Sequence, residues 1–485
     1  TQFTRQILPL NDDQNDEIGQ LNQQLVQIQS HVQNEIAILK NQIKELTELV
    51  QIDPITHLKN RSRLPEVLKQ VINRTNRGHY CSALLFIDIN HFKEINDNFG
   101  YEMGDKLLEL VAQRLKRKIR KTDFLFRFEG DDFVIIYDHI GDFIYQAQEQ
   151  VEKLSQYLVN ELSKPYHLNH REYHLNFTIG AEIITTQEES EFSNIMQHAE
   201  VALSYLKQKA SDNSQVVIFQ PSMLEEMHNI QLLEEALKHA LEKDEIYWLV
   251  QPQINMQTHE IVGGEVLMRW QHNGKIISPV EFIPLAENTG LIVPMTYWMI
   301  KSVFIYLIKH QNQLKNKVFA INLSPVLFND NHFMKNIHGL FSRHEIDPQQ
   351  IKFEITEGVF LENIDHIRDI MQQLKALGCQ ISLDDFGTGF SSLNYLKTLP
   401  IDQLKIDKSF LHQLLTDDKS SAIIKTIIDL SQNLQINVIA EGIEYPEQAQ
   451  FLIENNCLLC QGFLYAKPLD KENFLTFSAE PLKTA

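Results

Sequence analysis

The chain has 485 residues, 43% hydrophobic and 22% charged, with 64 Asp and Glu against 44 Lys and Arg and a net charge of -20. That composition excludes a mainly disordered, collagen-like or mucin-like polypeptide and predicts two to four globular domains. The acidic balance also excludes sequence-independent nucleic-acid binding, which needs basic surface, and suits divalent cations wherever carboxylates converge.

The first element is a helix over residues 16–50. Apolar side chains fall at Ile18, Leu21, Leu25, Ile28, Val32, Ile36, Leu39, Ile43, Leu46 and Val50. These are alternating steps of three and four with one stutter at Val32–Ile36. The seam predicts a parallel dimeric coiled coil in preference to an amphipathic helix lying on its own domain. From Asp53 to Phe219 helix and strand alternate. Residues 82–89 read as a buried strand, and 123–128 and 133–137 as two strands flanking the turn Glu129-Gly130-Asp131-Asp132. Residues 221–240 read as a helical linker. The stretch 291–308 is interrupted by Pro294, Lys301 and Ser302 and reads as a core helix, since no apolar run reaches the ~20 residues of a membrane span. The four cysteines, including the lone pair Cys457 and Cys460, make no disulfide framework or zinc site and are expected as reduced, buried thiols.

From Leu232 to Pro468 strand and helix repeat. Successive strands end on a polar residue: Asn322 in FAINLS, Glu354 in KFEIT, Asp384 in ISLDD, Lys405 in QLKID and Glu441 in NVIAE. Polar residues at the C-terminal ends of parallel strands predict a TIM-like (β/α) barrel with its site on that rim. The carboxylates of Glu265, Glu354, Asp384, Asp385 and Glu441, with the Asn322 amide, would repel unless cations joined them. An oxygen-only donor set selects Mg²⁺ or Mn²⁺. Adjacent Asp384 and Asp385 suit two ions and in-line displacement at phosphorus. Lys405 supplies a cation, or a proton-accepting amine if its pKa is lowered. Residues 385–392 read as a mobile loop.

Gly264-Glu265-Val266-Leu267-Met268-Arg269-Trp270 resembles the signature of EAL domains, the cyclic di-GMP phosphodiesterases, with Val266 in place of the central Ala. The resemblance spans residues 230–475 and extends through Val250-Gln251-Pro252, Asn322-Leu323-Ser324, Ile355-Thr356-Glu357, Asp384-Asp385-Phe386-Gly387, Lys405-Ile406-Asp407, Ala440-Glu441-Gly442 and Gln461-Gly462-Phe463. It implies that Glu265, Asn322, Glu354 and Asp384 hold one metal, and that Asp384, Asp385 and Glu441 hold the other. It further implies that Lys405 positions or deprotonates water and that Glu357 braces the loop. Gln251, Arg269, Asp407 and Gln461 would grip the dinucleotide, and the product would be linear pGpG.

Residues 51–219 resemble a GGDEF domain, the diguanylate cyclase fold, through Asp53-Pro54-Ile55-Thr56, Asp88, Phe92-Lys93-Glu94-Ile95-Asn96-Asp97, Gly104-Asp105 and the hairpin Glu129-Gly130-Asp131-Asp132-Phe133. The resemblance assigns Asp88 and Asp131 to metal, Asn96 and Asp105 to the base, and Lys207 to phosphate. Glu129 replaces a glycine at which backbone should approach phosphate, Asp132 replaces a longer acid, and Ser211 replaces a phosphate-binding Arg. The expectation is a degenerate domain that binds GTP weakly, with cyclase activity weak or absent. Arg120 and Asp123 match the RxxD inhibitory site, or match it by coincidence. Asp16–Leu21 resembles the end of a HAMP domain, and the chain begins at Thr1 without Met. Together these suggest the cytoplasmic portion of a longer protein anchored in the bacterial inner membrane.

The expected organisation is multidomain α/β: a coiled-coil helix (1–50), a degenerate GGDEF-like domain (51–219), a linker helix (220–231) and an EAL domain (232–480). The expected function is hydrolysis of cyclic di-GMP by a homodimer regulated through its first domain. The alternatives are a cyclic di-GMP receptor without turnover and a bifunctional cyclase and phosphodiesterase.

Overall fold

The computed structural model describes residues 24–32, 34–36, 51–168, 171–186, 192–208, 215–361, 364–387, 393–414 and 417–479. Most of the seam predicted over 18–50 lies outside them. Residues 24–32 and 34–36 are helical, and Leu25, Ile28, Val32 and Ile36 are exposed on them. The chain divides into two compact units, Thr1–His228 and Asn229–Ala485.

The first unit is built on a sheet of six strands: β1 (Lys59–Asn60), β2 (Cys81–Ile89), β3 (Phe124–Arg127), β4 (Phe133–Gly141), β7 (Phe177–Ile184) and β8 (Gln215–Ile218). A separate two-stranded hairpin, β5 (Tyr166–Leu168) and β6 (Arg171–Tyr173), lies between β4 and β7 in the chain. The order across the large sheet is β1-β3-β4-β2-β7-β8. Every residue of β2 is buried. Its side chains alternate between two cores: Ala83, Leu85 and Ile87 join one, Leu84 and Phe86 the other. A strand that reads as a continuous apolar run is thus covered on both faces, as its sequence requires. Helices Tyr101–Lys118 and Ile144–Leu162 cover one face; Leu64–Gly78 and Phe192–Gln208 cover the other. The antiparallel pair β3–β4 forms the hairpin that carries residues 129–132.

In the second unit the strands are β9 (Ile246–Asn255), β10 (Ile261–His272), β11 (Lys275–Ile277), β12 (Val318–Leu323), β13 (Ile351–Thr356), β14 (Gln380–Phe386), β15 (Gln403–Ile406), β16 (Asn437–Glu441) and β17 (Leu459–Gln461). Pairing runs β10-β12-β13-β14-β15-β16-β17-β9, and β9 pairs back to β10, which closes a barrel; β11 extends β10 outside the ring. The ring is parallel from β10 to β17 and antiparallel at both junctions with β9. It is therefore TIM-like with one reversed strand.

The apolar helix is Ile292–Lys309, long and apolar enough to cross a membrane. Its Ile292, Met295, Met299, Ile300, Val303, Phe304 and Leu307 pack into the barrel unit's core. All four cysteines are free and buried.

Candidate active site

Alternation along the barrel strands decides which side chains meet. On β13 Ile351, Phe353 and Ile355 enter the apolar core, so Lys352 and Glu354 face the other way. The same step of two places Ser382 and Asp384 on β14, Gln403 and Lys405 on β15, and Glu265 and Arg269 on β10 opposite their apolar neighbours.

Lys405 is 1% exposed and sits at the centre of an acidic cluster. Its Nζ lies 2.6 Å from Glu354 Oε2, 2.6 Å from Glu441 Oε1, 3.0 Å from Asp384 Oδ2 and 3.5 Å from Glu265 Oε2. Glu265 Oε1 accepts from Asn322 Nδ2 at 2.7 Å and Oε2 from Gln461 Nε2 at 2.5 Å. Gln461 Nε2 also donates to Glu441 Oε1 at 2.9 Å, and Gln461 Oε1 accepts from Gln253. Gln461 thus ties two acids together inside the barrel. Among the described residues no three acids, cysteines or imidazoles stand at metal-ligand spacing, and it is the Lys405 ammonium that gathers the carboxylates.

Burial draws Lys405 down, but the carboxylates of Glu265, Glu354, Glu441 and Asp384 outweigh it and hold the ammonium well above its ordinary value. In this arrangement the Lys405 ammonium neutralises the acids gathered around it. Burial pushes the Glu354 and Glu441 carboxyls up against the pull of Lys405. Burial acts on Glu265 too, but Lys405 and the donors Gln461 and Asn322 prevail and hold it down.

Asp385 has φ +54° and lies within a break in register between β14 and β15. In a regular strand adjacent residues point to opposite faces. At Asp385 burial, then the Asp384 and Asp407 charges, push the carboxyl up to about 6. Residues 388–392 of the loop lie outside the described residues.

The other expected groups make local bonds of their own, and Gln251 pairs in register with Glu265. Gln251 is buried, its Nε2 donating to Ala466 O; Arg269 donates to Met268 O at 2.8 Å; Asp407 caps helix Lys408–Gln413 by accepting from Ser409 N at 2.9 Å. Glu357 opens the short helix Glu357–Leu361 directly after β13.

The donor chemistry fits hard divalent cations. Glu354 Oε1 is a buried oxygen with no hydrogen-bond partner, and the surrounding groups are carboxylates and an amide. The sequence reading missed a polar layer below: Lys352 donates to Gln403 Oε1 at 2.7 Å, and burial draws its ammonium down to about 8. The two-residue step from Lys352 to Glu354 was its visible signal.

In the first unit Asp88 ends β2 and accepts a 2.6 Å ion pair from Lys207. Asp131 and Asp132 follow in the hairpin turn. Burial, then Asp88 and Asp131, push Asp132 up to about 8. Gly130 adopts φ +54° with open space where a Cβ would stand, so it is required for conformation rather than for room. Arg127 fastens the turn, donating to Gly130 O at 3.1 and 2.7 Å and pairing with Asp53 at 3.0 Å. Gly104 leaves room for Asn96, whose Oδ1 would stand 1.9 Å from an added Cβ; Asp105 is the next residue. Glu129 is paired with Arg61 at 2.9 Å, both side chains exposed. Its charge is thus answered by a cation that the sequence reading had not placed there. Asp123 is buried, its Oδ2 accepting from Arg120 N at 2.9 Å, so this carboxylate closes its own turn. Residues 210–212 lie outside the described residues.

The EAL domain model matches residues 234–468, and the model for the diguanylate cyclase, GGDEF domain matches residues 50–213. MucR of Pseudomonas aeruginosa, named a bifunctional diguanylate cyclase/cyclic di-GMP phosphodiesterase, is 32% identical over 440 residues, covering 89% of this chain and 62% of its own. The chain spans 62%, 54% and 53% of the length of three such curated relatives. The EAL enzyme Bd1971, in its cAMP- and cyclic di-GMP-bound form, aligns at TM-score 0.50 and 31% identity over 63% of this chain and 82% of its own. The S helix–GGDEF–EAL portion of Vibrio cholerae LapD, bound to c-di-GMP, aligns at TM-score 0.60 over 88% of this chain and 99% of its own, a likeness of fold at 20% identity. MucR overturns the expectation that cyclase activity is absent: a relative of the same two-domain make-up carries both activities in its name. Arg61 also offsets the Glu129 charge, one of the features on which that expectation rested.

Proposed function

The chain belongs to the GGDEF–EAL tandem signalling proteins, and from that premise we propose that its barrel hydrolyses cyclic di-GMP to linear pGpG with two Mg²⁺ or Mn²⁺ ions. The observation that carries this reading is the cluster of Glu265, Glu354, Asp384 and half-buried Glu441 around buried Lys405, with one carboxylate oxygen of Glu354 unpartnered.

Glu265, Asn322, Glu354 and Asp384 would hold one ion, and Asp384, Asp385 and Glu441 the other. When bound, the pair supplies Lewis-acid polarisation of water and of the phosphoryl oxygens. Lys405 keeps the acids at one place and orients water for in-line attack at phosphorus. A new P–O bond forms, the P–O3′ bond breaks, and the leaving oxygen takes a proton. Gln461 fixes Glu265 relative to Glu441. Arg269 and Asp407 remain the groups proposed for the dinucleotide, and Glu357 for bracing the loop after Asp385.

The test is incubation of the full chain with cyclic di-GMP and Mn²⁺, with products separated by chromatography. pGpG should accumulate, and Glu265→Ala should abolish it together with Mn²⁺ binding. Cyclic di-GMP retained bound and intact would favour a receptor.

The second reading makes the protein bifunctional. It is supported by Lys207 beside Asp88, the neighbouring Asp131 and Asp132, and the offset Glu129 charge. The first domain then takes GTP with Asn96 and Asp105 at the base, and the substitutions at Glu129, Asp132 and Ser211 slow condensation. Cyclic di-GMP made from GTP in the Glu265→Ala background would support it, since hydrolysis cannot erase the product there. The exposed Leu25, Ile28, Val32 and Ile36 support a dimeric helix continuing from a HAMP-like, membrane-anchored segment.

A further inference from the structure

Beneath the acidic cluster lies a buried cation that the proposed hydrolysis does not use. Lys352 is 5% exposed, and its Nζ is held by Gln403 Oε1 at 2.7 Å. It stands two residues before Glu354 on the same face of β13. Pairing sets Glu354 beside Ser382 and Ser382 beside Gln403, so the Gln403 that holds the Lys352 ammonium stands level with Glu354 in the sheet. Ser382 is fully buried and its Oγ has no hydrogen-bond partner. A buried ammonium with one neutral side-chain partner is costly unless opposite charge stands near. Glu354 and Glu265 are the carboxylates close enough to act on it; Asp402 acts more weakly, and Lys405 opposes it as a like charge.

We infer that Lys352 is a positioning residue of the barrel site that sets its affinity for divalent cations, holding it lower than the carboxylates alone would. The inference rests on the two-ion reading above. The two-residue strand step separates Lys352 from Glu354 by about 7 Å along β13. At that distance and an effective dielectric of about 20, a unit charge opposes a divalent ion by more than a thousandfold in affinity. Water and counter-ions at the rim reduce this, so Lys352→Met should tighten Mn²⁺ binding at least about tenfold.

The experiment is calorimetric titration of the full chain with Mn²⁺, for wild type, Lys352→Met and Lys352→Met/Gln403→Leu. The double variant removes both partners of the hydrogen bond, and so remains readable if the single variant folds poorly. Tighter Mn²⁺ binding, with half-maximal hydrolysis at lower Mn²⁺, is the expected result. Wild type that binds Mn²⁺ while the folded variants bind it with the same Kd overturns this inference alone. A lowered Tm at unchanged Kd would make Lys352 merely structural and overturns it equally. Wild type that binds no Mn²⁺ overturns the two-ion reading and this inference with it.

Discussion

Lys405→Met removes the ammonium that four carboxylates share. Taking one partner from a buried ion pair costs about 3–5 kcal/mol, because the remaining charge has neither water nor a counter-ion. The cost here depends on pH. Burial already pushes Glu354 and Glu441 up, so these carboxyls can take protons when the ammonium is lost. The full penalty is therefore expected near pH 8 and a smaller one near pH 5.5. In a unit of this size about 1 kcal/mol moves Tm by roughly 2–4 °C, so the EDTA-treated variant should melt about 10 °C below wild type at pH 8. Excess Mn²⁺ should recover most of that loss, since it returns positive charge to the same acids. It should not recover catalysis: hydrolysis should stay about 10²-fold down, the scale of a misplaced reacting group. Scanning calorimetry with EDTA and with Mn²⁺, at both pH values, is the assay. A metal-free variant as stable as wild type at pH 8 would refute the view that Lys405 neutralises this cluster.

Burial and Asp384 push Asp385 up to about 6, so Mn²⁺ affinity should fall as pH drops through about 6; calorimetry showing a flat profile from pH 5 to 7.5 would remove Asp385 from the donor set. The sign for the metal-free fold is opposite: a carboxyl raised by folding stabilises most below its unfolded value, near 4, and loses that contribution as pH rises through about 6, so Tm in EDTA should decline across that window. Glu129→Gly should release Arg61 and raise GTP affinity by at most about fivefold, the scale of an exposed ion pair; a fall in affinity would mean that Glu129 helps to place Arg61. Deleting residues 1–50 should leave the protein monomeric at micromolar concentration and alter hydrolysis, by light scattering and chromatography; an unchanged dimer would place the contact elsewhere.

The barrel was legible because two signals repeat. Apolar and polar residues alternate along each strand, and a polar group closes each strand at intervals that fit one strand and one helix. The reversed direction of β9 was not legible, because Leu249, Val250 and Gln251 alternate identically whichever way a strand runs. Lys352 was open to the same period-two argument as Glu354, yet a lysine in IKFEIT reads as readily as an exposed edge residue. Its burial follows from Gln403 standing in reach, 51 residues later in the chain. The Arg61–Glu129 pair was hidden for the same reason, its partners lying 68 residues apart. Reading Glu129 alone gave a repulsive charge, and only the fold supplies its partner. For Asp123 the structure adds that Oδ2 accepts from the backbone N–H of Arg120 within the same four-residue pattern.

Adjacent acids at a strand end look like a loop in sequence, and in the structure the strand becomes irregular at that point. Asp385 takes the left-handed conformation at φ +54°, and the ladder to β15 slips between Leu383 and Phe386. A non-glycine residue held there costs about 1–3 kcal/mol, tolerated more readily by Asp than by most side chains. The ladder resumes at Phe386, paired with Ile406, both buried in the barrel core, so the irregular residue is pinned by packed neighbours on either side. The barrel keeps the ladder regular up to Leu383, and within the break the Asp385 N–H donates to Asp384 Oδ1 at 2.9 Å.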